Sequence, residues 1–171
     1  MTLPFEVQDS FRLATAARMA FSLTQHMQQG DAANWVAADI EDLFRFYLNL
    51  RHLSHAHVSL ELLATDGCRL YHRDNVGIRL LCTYFGPGTE WAPRQALVHP
   101  DRGDDDSPRD AAGVLVRRSL LRHAGQGEVL LLKGKTWPGN SLNAAVHRSP
   151  PIAALGLTRL VLSIDACAHG G

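Results

Sequence analysis

A chain of 171 residues, 46 % of them hydrophobic, is long enough to bury one sizeable core and has the composition of an ordinary globular domain. Its 17 basic and 17 acidic residues balance, which excludes the one-signed field that draws a protein to nucleic acid or to an acidic membrane surface. No apolar run reaches the ~20 residues of a membrane span, and Met1-Thr2-Leu3-Pro4-Phe5-Glu6 lacks the basic start and apolar stretch of a secretion signal, so a cytoplasmic protein with neither nucleic-acid nor membrane partners is expected.

The chain opens on helical spacing. Asp9 or Ser10 is placed to cap a first helix carrying Leu13, Ala17, Ala20, Phe21 and Met27, and Gly30 to end it. A second helix is predicted to start after Asp31 or Asn34, with Val36, Ile40, Leu43, Phe44, Tyr47 and Leu48 forming one apolar stripe. Two one-sided helices need a surface to lie on, and a sheet is the natural partner. From about Ala56 the period changes to two: Val58, Leu60 and Leu62 alternate with Ser59 and Glu61. After the turn Thr65-Asp66-Gly67, a second strand is expected to carry Cys68, Leu70, His72 and Asp74 on one face.

Ile78 to Phe85 is a β-rich run closed by Gly86-Pro87-Gly88, and a short extended piece comes next, near Gln95 to His99. Pro100 to Gly113 holds five aspartates, two glycines and two prolines. It reads as a solvated loop, with a lid or partner contact as the alternative. Val114 to Leu121 fits helix or strand equally. Gly127 to Gly134 reads as a turn feeding a buried strand, Trp137-Pro138-Gly139-Asn140 as a turn, and Ala144–His147 and Thr158–Ile164 as the last strands. Neither repeats nor a Gly/Ser linker divide the chain, so residues 1–171 are expected to form one domain: helical support over about 8–53 and a β part over 56–167. The pattern predicts an α+β fold, a sandwich or jelly roll with two N-terminal helices packed on its outside.

The chemistry concentrates in Tyr71-His72-Arg73-Asp74-Asn75 and Val146-His147-Arg148-Ser149-Pro150-Pro151. His72 and Asp74, two residues apart on a strand, point the same way. With His147 from a distant strand they make two nitrogens and one oxygen, the facial set that leaves three coordination positions open on a non-haem Fe(II) ion. A lone H-x-D is a weak signal among nine histidines and twelve aspartates, and a second triplet, His99-Pro100-Asp101, is read as a decoy because its proline opposes a regular strand. Cys68 shares the face of His72 and Asp74, as a fourth ligand or as an inert thiol. Cys68, Cys82 and Cys167 form no CxxC pair, which argues against a disulfide framework or zinc knuckle. His55 and His57 look like a second metal pair without a third partner.

The stretch after His72-x-Asp74 resembles the prolyl-hydroxylase-like branch of the Fe(II)/2-oxoglutarate oxygenases. Arg79-Leu80-Leu81-Cys82-Thr83-Tyr84-Phe85 matches the strand with an arginine and a tyrosine. Pro87-Gly88-Thr89-Glu90-Trp91-Ala92-Pro93 matches a glycine-rich turn, one glycine short and one residue longer before the proline. Gly127-Glu128-Val129-Leu130-Leu131-Leu132 is similar to the family's Gly-Asp-apolar strand, and His147 with Pro151-Ile152 to its distal histidine. The resemblance covers about Cys68 to Asp165. The pairing of the Thr83–Trp91 stretch with His147-Arg148-Ser149-Pro150-Pro151 also resembles an uncharacterised bacterial family of unknown function.

The resemblance implies a double-stranded β-helix, cupin-like, with Fe(II) on His72, Asp74 and His147. It implies 2-oxoglutarate as cosubstrate, its far carboxylate held by Arg159 with help from Ser163 and Tyr84; Arg79 and Arg148 are alternative cations. Hydroxylation of a small molecule or an amino-acid side chain would be the outcome. The residues leave two other readings open: a non-catalytic zinc-handling or sensing jelly roll closed by Cys68, and a cupin-like fold using iron without 2-oxoglutarate. Trp91 and Trp137 are expected to be packing or turn anchors.

Overall fold

The computed structural model describes residues 5–98 and 115–166. Its first element is a strand, β1 (Phe5–Arg12), where helical spacing had been expected from Asp9 or Ser10. The reason lies in residues the helical reading passed over. Phe5, Val7 and Phe11 recur at even offsets and pack against the core, and the whole segment pairs antiparallel with the strand after the helices, from Phe5↔Leu62 to Arg12↔His55. The first helix is therefore short, α1 (Ala16–Thr24), and buries Ala16, Met19, Ala20 and Leu23, leaving Phe21 exposed. Gly30 belongs to the next helix: its carbonyl accepts the Asn34 amide at 3.0 Å.

That helix, α2 (Asp31–Arg51), starts at Asp31, whose carboxylate suits the positive N-terminal end. Val36, Ile40, Phe44, Tyr47 and Leu48 are its buried stripe, as the spacing predicts. It ends with His52 in the left-handed region (φ 52°), the Leu53 amide reaching back to the Leu48 carbonyl at 2.9 Å. No helix among the described residues is long and apolar enough to cross a membrane.

The strands after the helices are β2 (His55–Leu63), β3 (Ile78–Phe85), β4 (Glu90–Ala92), β5 (Leu97–Val98), β6 (Leu115–Val116), β7 (Arg122–His123), β8 (Val129–Lys133), β9 (Val146–Arg148) and β10 (Arg159–Ala166). They form an antiparallel five-stranded sheet in the order β1-β2-β10-β3-β8, a three-stranded sheet β7-β4-β9, and the pair β5-β6. The result is α+β with two helices and antiparallel sheets. Two expectations change. β8 is an edge strand in which Leu132 alone is buried and Val129 and Leu131 are exposed, so that run is only partly buried. Residues 68–74 do not form a strand; a single bridge at His72 is their ladder. The triplet His99-Pro100-Asp101 and the acidic loop 100–113 lie outside the described residues, as does Cys167.

The five-stranded sheet has two unlike faces. Ala56, Val58, Leu60, Ile78, Leu80, Cys82, Leu160, Leu162 and Ile164 turn toward α1 and α2 and make the main core. Tyr47 fixes helix to sheet, its hydroxyl donating to the Ile78 carbonyl at 2.9 Å. Since side chains alternate along a strand, the odd positions of β2 and β10, with Arg79, Leu81 and Thr83 of β3, share the other face. Register places them in rows: His57, Asp165 and Arg79 in one, Ser59, Ser163 and Leu81 in the next. Above this polar face lies the smaller sheet. The chain turns between them at Gly86 (φ 78°), where any Cβ would sit 2.0 Å from the Thr158 carbonyl, so only glycine fits.

Candidate metal centre

A cavity of about 320 Å³ separates the two sheets. His57, Ser59, Glu61, Arg79, Arg159, Ser163 and Asp165 line it from the large sheet; Thr89, His147, Arg148 and Ser149 line it from the other side, with Cys68 and His72 at its wall. His147 sits in β9, opposite Trp91 of β4 on one side and His72 on the other. His72 and His147 exchange both backbone hydrogen bonds, at 3.0 and 3.1 Å. Directly opposed residues of an antiparallel pair project to the same side, so the two rings meet, centroids 4.4 Å apart. The same pairing sends Tyr71, Arg148, Glu90 and His123 to the opposite side.

Asp74 reaches the two imidazoles from an irregular segment. Its carbonyl accepts the Lys135 amide at 2.9 Å, and the Gly134 and Thr136 amides bond to Gly77 and Val76 at 2.9 and 3.2 Å. This close approach needs Gly134: a Cβ there would lie 2.2 Å from the Val76 carbonyl and 2.9 Å from that of Asp74. The carboxylate then stands with Oδ1 3.4 Å from His72 Nε2 and Oδ2 3.3 Å from His147 Nε2, and Oδ2 is 3.1 Å from Arg79 Nη1. One ligand atom from each of His72, Asp74 and His147 falls within 4.8 Å of the others, a grouping able to hold one metal ion.

The donors suit a cation. His72 Nδ1 lies 3.0 Å from the Leu70 carbonyl. Since that oxygen can only accept, Nδ1 carries the proton and Nε2 faces the cavity as a lone pair. A lone pair and a carboxylate at 3.4 Å call for a positive centre between them, a proton or a metal. Without a metal, the bond to Asp74 raises the His72 pKa against the opposing effect of burial. His147 behaves differently. Burial pushes its pKa down to about 4 and the charge of His72 adds to this, against the pull of Asp74; near neutral pH it is an uncharged ligand. Burial pushes the Asp74 carboxyl up, but the His72 hydrogen bond and the charges of His147 and Arg79 outweigh it and hold the group below its usual range. Asp74 Oδ2 and His147 Nδ1 are buried without a well-aligned hydrogen bond, a costly state for polar atoms that coordination of Oδ2 would relieve.

Arg159 closes the other part of the cavity. It is 3 % exposed, and among the described residues no carboxylate lies at ion-pair distance from it, Glu61 acting only as a more distant charge. Nη2 donates to Thr89 Oγ1 at 2.5 Å and Thr83 Oγ1 at 3.2 Å, Nη1 to Ser149 Oγ at 3.4 Å, and Nε is buried without a partner. Burial lowers its pKa to about 10, with Glu61 opposing. A buried guanidinium held by neutral hydroxyls is an anion site in waiting.

Of the residues singled out in the sequence, His72, His147, Arg159 and Ser163 line this cavity, and Asp74 reaches the two histidines beside it. Tyr84 does not. It faces α2, donates to Asp39 Oδ2 at 2.7 Å and packs edge-on against Trp35. At an even position of β3 its side chain leaves the sheet on the helix side, which removes it from the cosubstrate set. Arg148 is taken by Glu90, Nε to Oε2 at 2.5 Å, and Arg79 by Asp165, so neither replaces Arg159. Cys68 lines the cavity but stays outside the three-ligand group. His57 also lines it, 3.3 Å from Gln8 Oε1, while His55 is exposed beside Ser54. Trp137 lies under Arg51 and Lys133, a turn anchor. Sequence reasoning missed Thr83, Thr89 and Ser149 around Arg159, and Asp165 behind Arg79. Alternation from Arg159 to Asp165 in one strand was the available signal for the last.

Residues 4–165 match the family model DUF1826, described as a protein of unknown function. No curated protein sequence matches. Similar solved structures include the vicilin from Solanum melongena, described with different anionic ligands in structurally similar pockets (15 % identity, 74 % of this chain and 27 % of that one, TM-score 0.37). Others are a C-terminally truncated Neurospora crassa protein in apo form (14 % identity, 90 % and 49 %, TM-score 0.37) and a bsmA homologue from Methylobium petroleophilum PM1 (15 % identity, 78 % and 51 %, TM-score 0.36). The chain spans 27–51 % of the length of these structures. At such TM-scores the likenesses carry no argument about fold or function.

Proposed function

The chain belongs to the DUF1826 family, and we propose that it is a non-haem Fe(II)/2-oxoglutarate-dependent oxygenase of jelly-roll, cupin-like build, hydroxylating a small molecule or an amino-acid side chain. One observation carries the reading: the two histidines of a two-nitrogen, one-oxygen ligand group line the same cavity as a buried arginine that has no carboxylate at ion-pair distance among the described residues. The first suits Fe(II) with open positions; the second suits the far carboxylate of a dicarboxylate cosubstrate. Iron and 2-oxoglutarate, when bound, would supply the oxidising chemistry.

The chain's own residues do the rest. His72 and His147 offer neutral nitrogens, and Asp74 offers the single negative charge. Thr83, Thr89 and Ser149 hold the Arg159 fork toward the cavity, and Ser163, 3.4 Å from Ser59, adds a hydroxyl on the same face. A cavity of about 320 Å³ admits a small molecule at the lower end of the usual range of ligand pockets. A closed four-ligand zinc site would need Cys68, which stands outside the ligand group.

The test is an anaerobic titration of purified protein with Fe(II) and then 2-oxoglutarate. A weak visible charge-transfer band is expected only with both present, and Arg159→Ala should lose it while keeping the metal. Tight zinc binding with no response to 2-oxoglutarate, by spectroscopy or calorimetry, would sink the proposal.

A further inference from the structure

The Arg79–Asp165 pair lies against the metal carboxylate without belonging to the ligand group. The guanidinium offers five donors in a rigid fork. Its Nε and Nη2 edge is spent on Asp165, at 2.9 and 3.1 Å from Nε and 2.7 Å from Nη2. The remaining Nη1 stands 3.1 Å from Asp74 Oδ2 as an ion pair. Arg79 and Asp165 are directly opposed in β3 and β10, inside the five-stranded sheet, whereas Asp74 sits in an irregular segment. A side chain anchored on the sheet thus meets a ligand carried by a loop, so control runs from Arg79 to Asp74. We infer that Arg79 is the positioning residue of the metal carboxylate and that Asp165 holds it in that role. The inference rests on His72, Asp74 and His147 being a metal site.

Asp165 does two things. It fixes the fork, and it cancels the charge. A lone guanidinium 3.1 Å from the only anionic ligand would repel a dication and compete with it for the carboxylate. Paired with Asp165, the two side chains together are neutral, and orientation is what they contribute. Lysine carries the same charge at a single point and cannot hold both carboxylates in one plane.

Cobalt(II) titration, followed by visible absorption on the full-length protein, separates these effects. Outer partners of metal ligands typically matter by 10–100-fold in affinity. Asp165→Asn, which leaves Arg79 uncompensated, is expected to weaken cobalt binding by about 100-fold. The double variant Arg79→Gln/Asp165→Asn keeps the net charge and avoids a stranded buried ion. It should lose about 10-fold and shift the cobalt bands, with the melting temperature of the metal-free protein little changed. Arg79→Lys should fall between wild type and Asp165→Asn. If the double variant binds cobalt like wild type with the same bands, the positioning role fails while the metal site stands. If wild type itself binds no cobalt, the metal site fails and takes the inference with it.

Discussion

The two faces of β10 are made by one strand and do opposite work. Leu160, Leu162 and Ile164 are buried against the helices. Arg159, Ser163 and Asp165 look into the cavity. The helix face gains from burial whatever its detailed chemistry. The cavity face holds an arginine with no carboxylate at ion-pair distance among the described residues and a carboxylate spent on Arg79, and it gives up stability for binding. Folding and chemistry are thus divided at single-residue spacing, so adjacent substitutions should fail in different ways.

The largest contrast should come from Leu162→Ala. Leu162 is fully buried, and the lost contacts and cavity should cost about 2–5 kcal/mol in urea denaturation, with metal affinity of the remaining folded protein unchanged. An acid titration should reveal a cost of about 3 kcal/mol on the cavity side. The folded-state pKa of His147, about 4, lies below the ordinary 6.5. Between those values the unfolded chain holds a proton that the folded protein refuses, so stability falls as pH drops through that window. The raised pKa of His72 works the other way: it stabilises at low pH, and that contribution is lost as pH rises through its folded value. Metal-free protein and His147→Asn should therefore differ in slope between pH 6.5 and 4; equal slopes would contradict the buried, neutral His147.

Arg159→Met should sharpen the comparison from the other direction. Replacing a buried charge by an apolar chain is often neutral or stabilising by about 1–4 kcal/mol, so the variant should melt no lower than wild type while losing dicarboxylate binding. A large drop in melting temperature would mean that the hydroxyl cradle already satisfies the arginine. The smallest effect belongs to Tyr84→Phe. Loss of its hydrogen bond to the Asp39 carboxylate should cost about 1.5 kcal/mol and leave 2-oxoglutarate binding unaltered, since the ring is on the helix side of the sheet.

Much of this division was legible in the sequence. The α2 stripe and the period-two run of β2 follow from periodicity alone, because burial on one face leaves a regular trace, and β3 could be read from its β-rich composition and the Gly86-Pro87-Gly88 that closes it. His72, Asp74 and His147 could be named from spacing and resemblance. What spacing could not supply was the route by which they meet. The segment from Cys68 to Asp74 is held by the backbone pair of His72 with His147, by the Ser149 amide on the Cys68 carbonyl and by the Gly134 turn, and long-range contacts of that sort leave no local period. β1 was misread because Leu13, Ala17 and Ala20 offered helical spacing beside the alternation of Phe5, Val7 and Phe11, and β2, the partner that decides between them, lies across two helices. Tyr84 was misassigned by motif order. Counting alternate residues from Arg79 places it on the other face.

The order of strands also bears on how the molecule is assembled. β10 is central in the five-stranded sheet, between β2 and β3, yet a ribosome makes it after the other four. Until it arrives, β2 and β3 have no common neighbour, the apolar side of each is incompletely covered, and neither Arg159 nor Asp165 is available to the cavity. Such a topology is rich in contacts between distant parts of the chain and favours slow, largely post-translational folding. A nascent chain stopped before Arg159 should be a substrate for chaperones rather than a partly working protein.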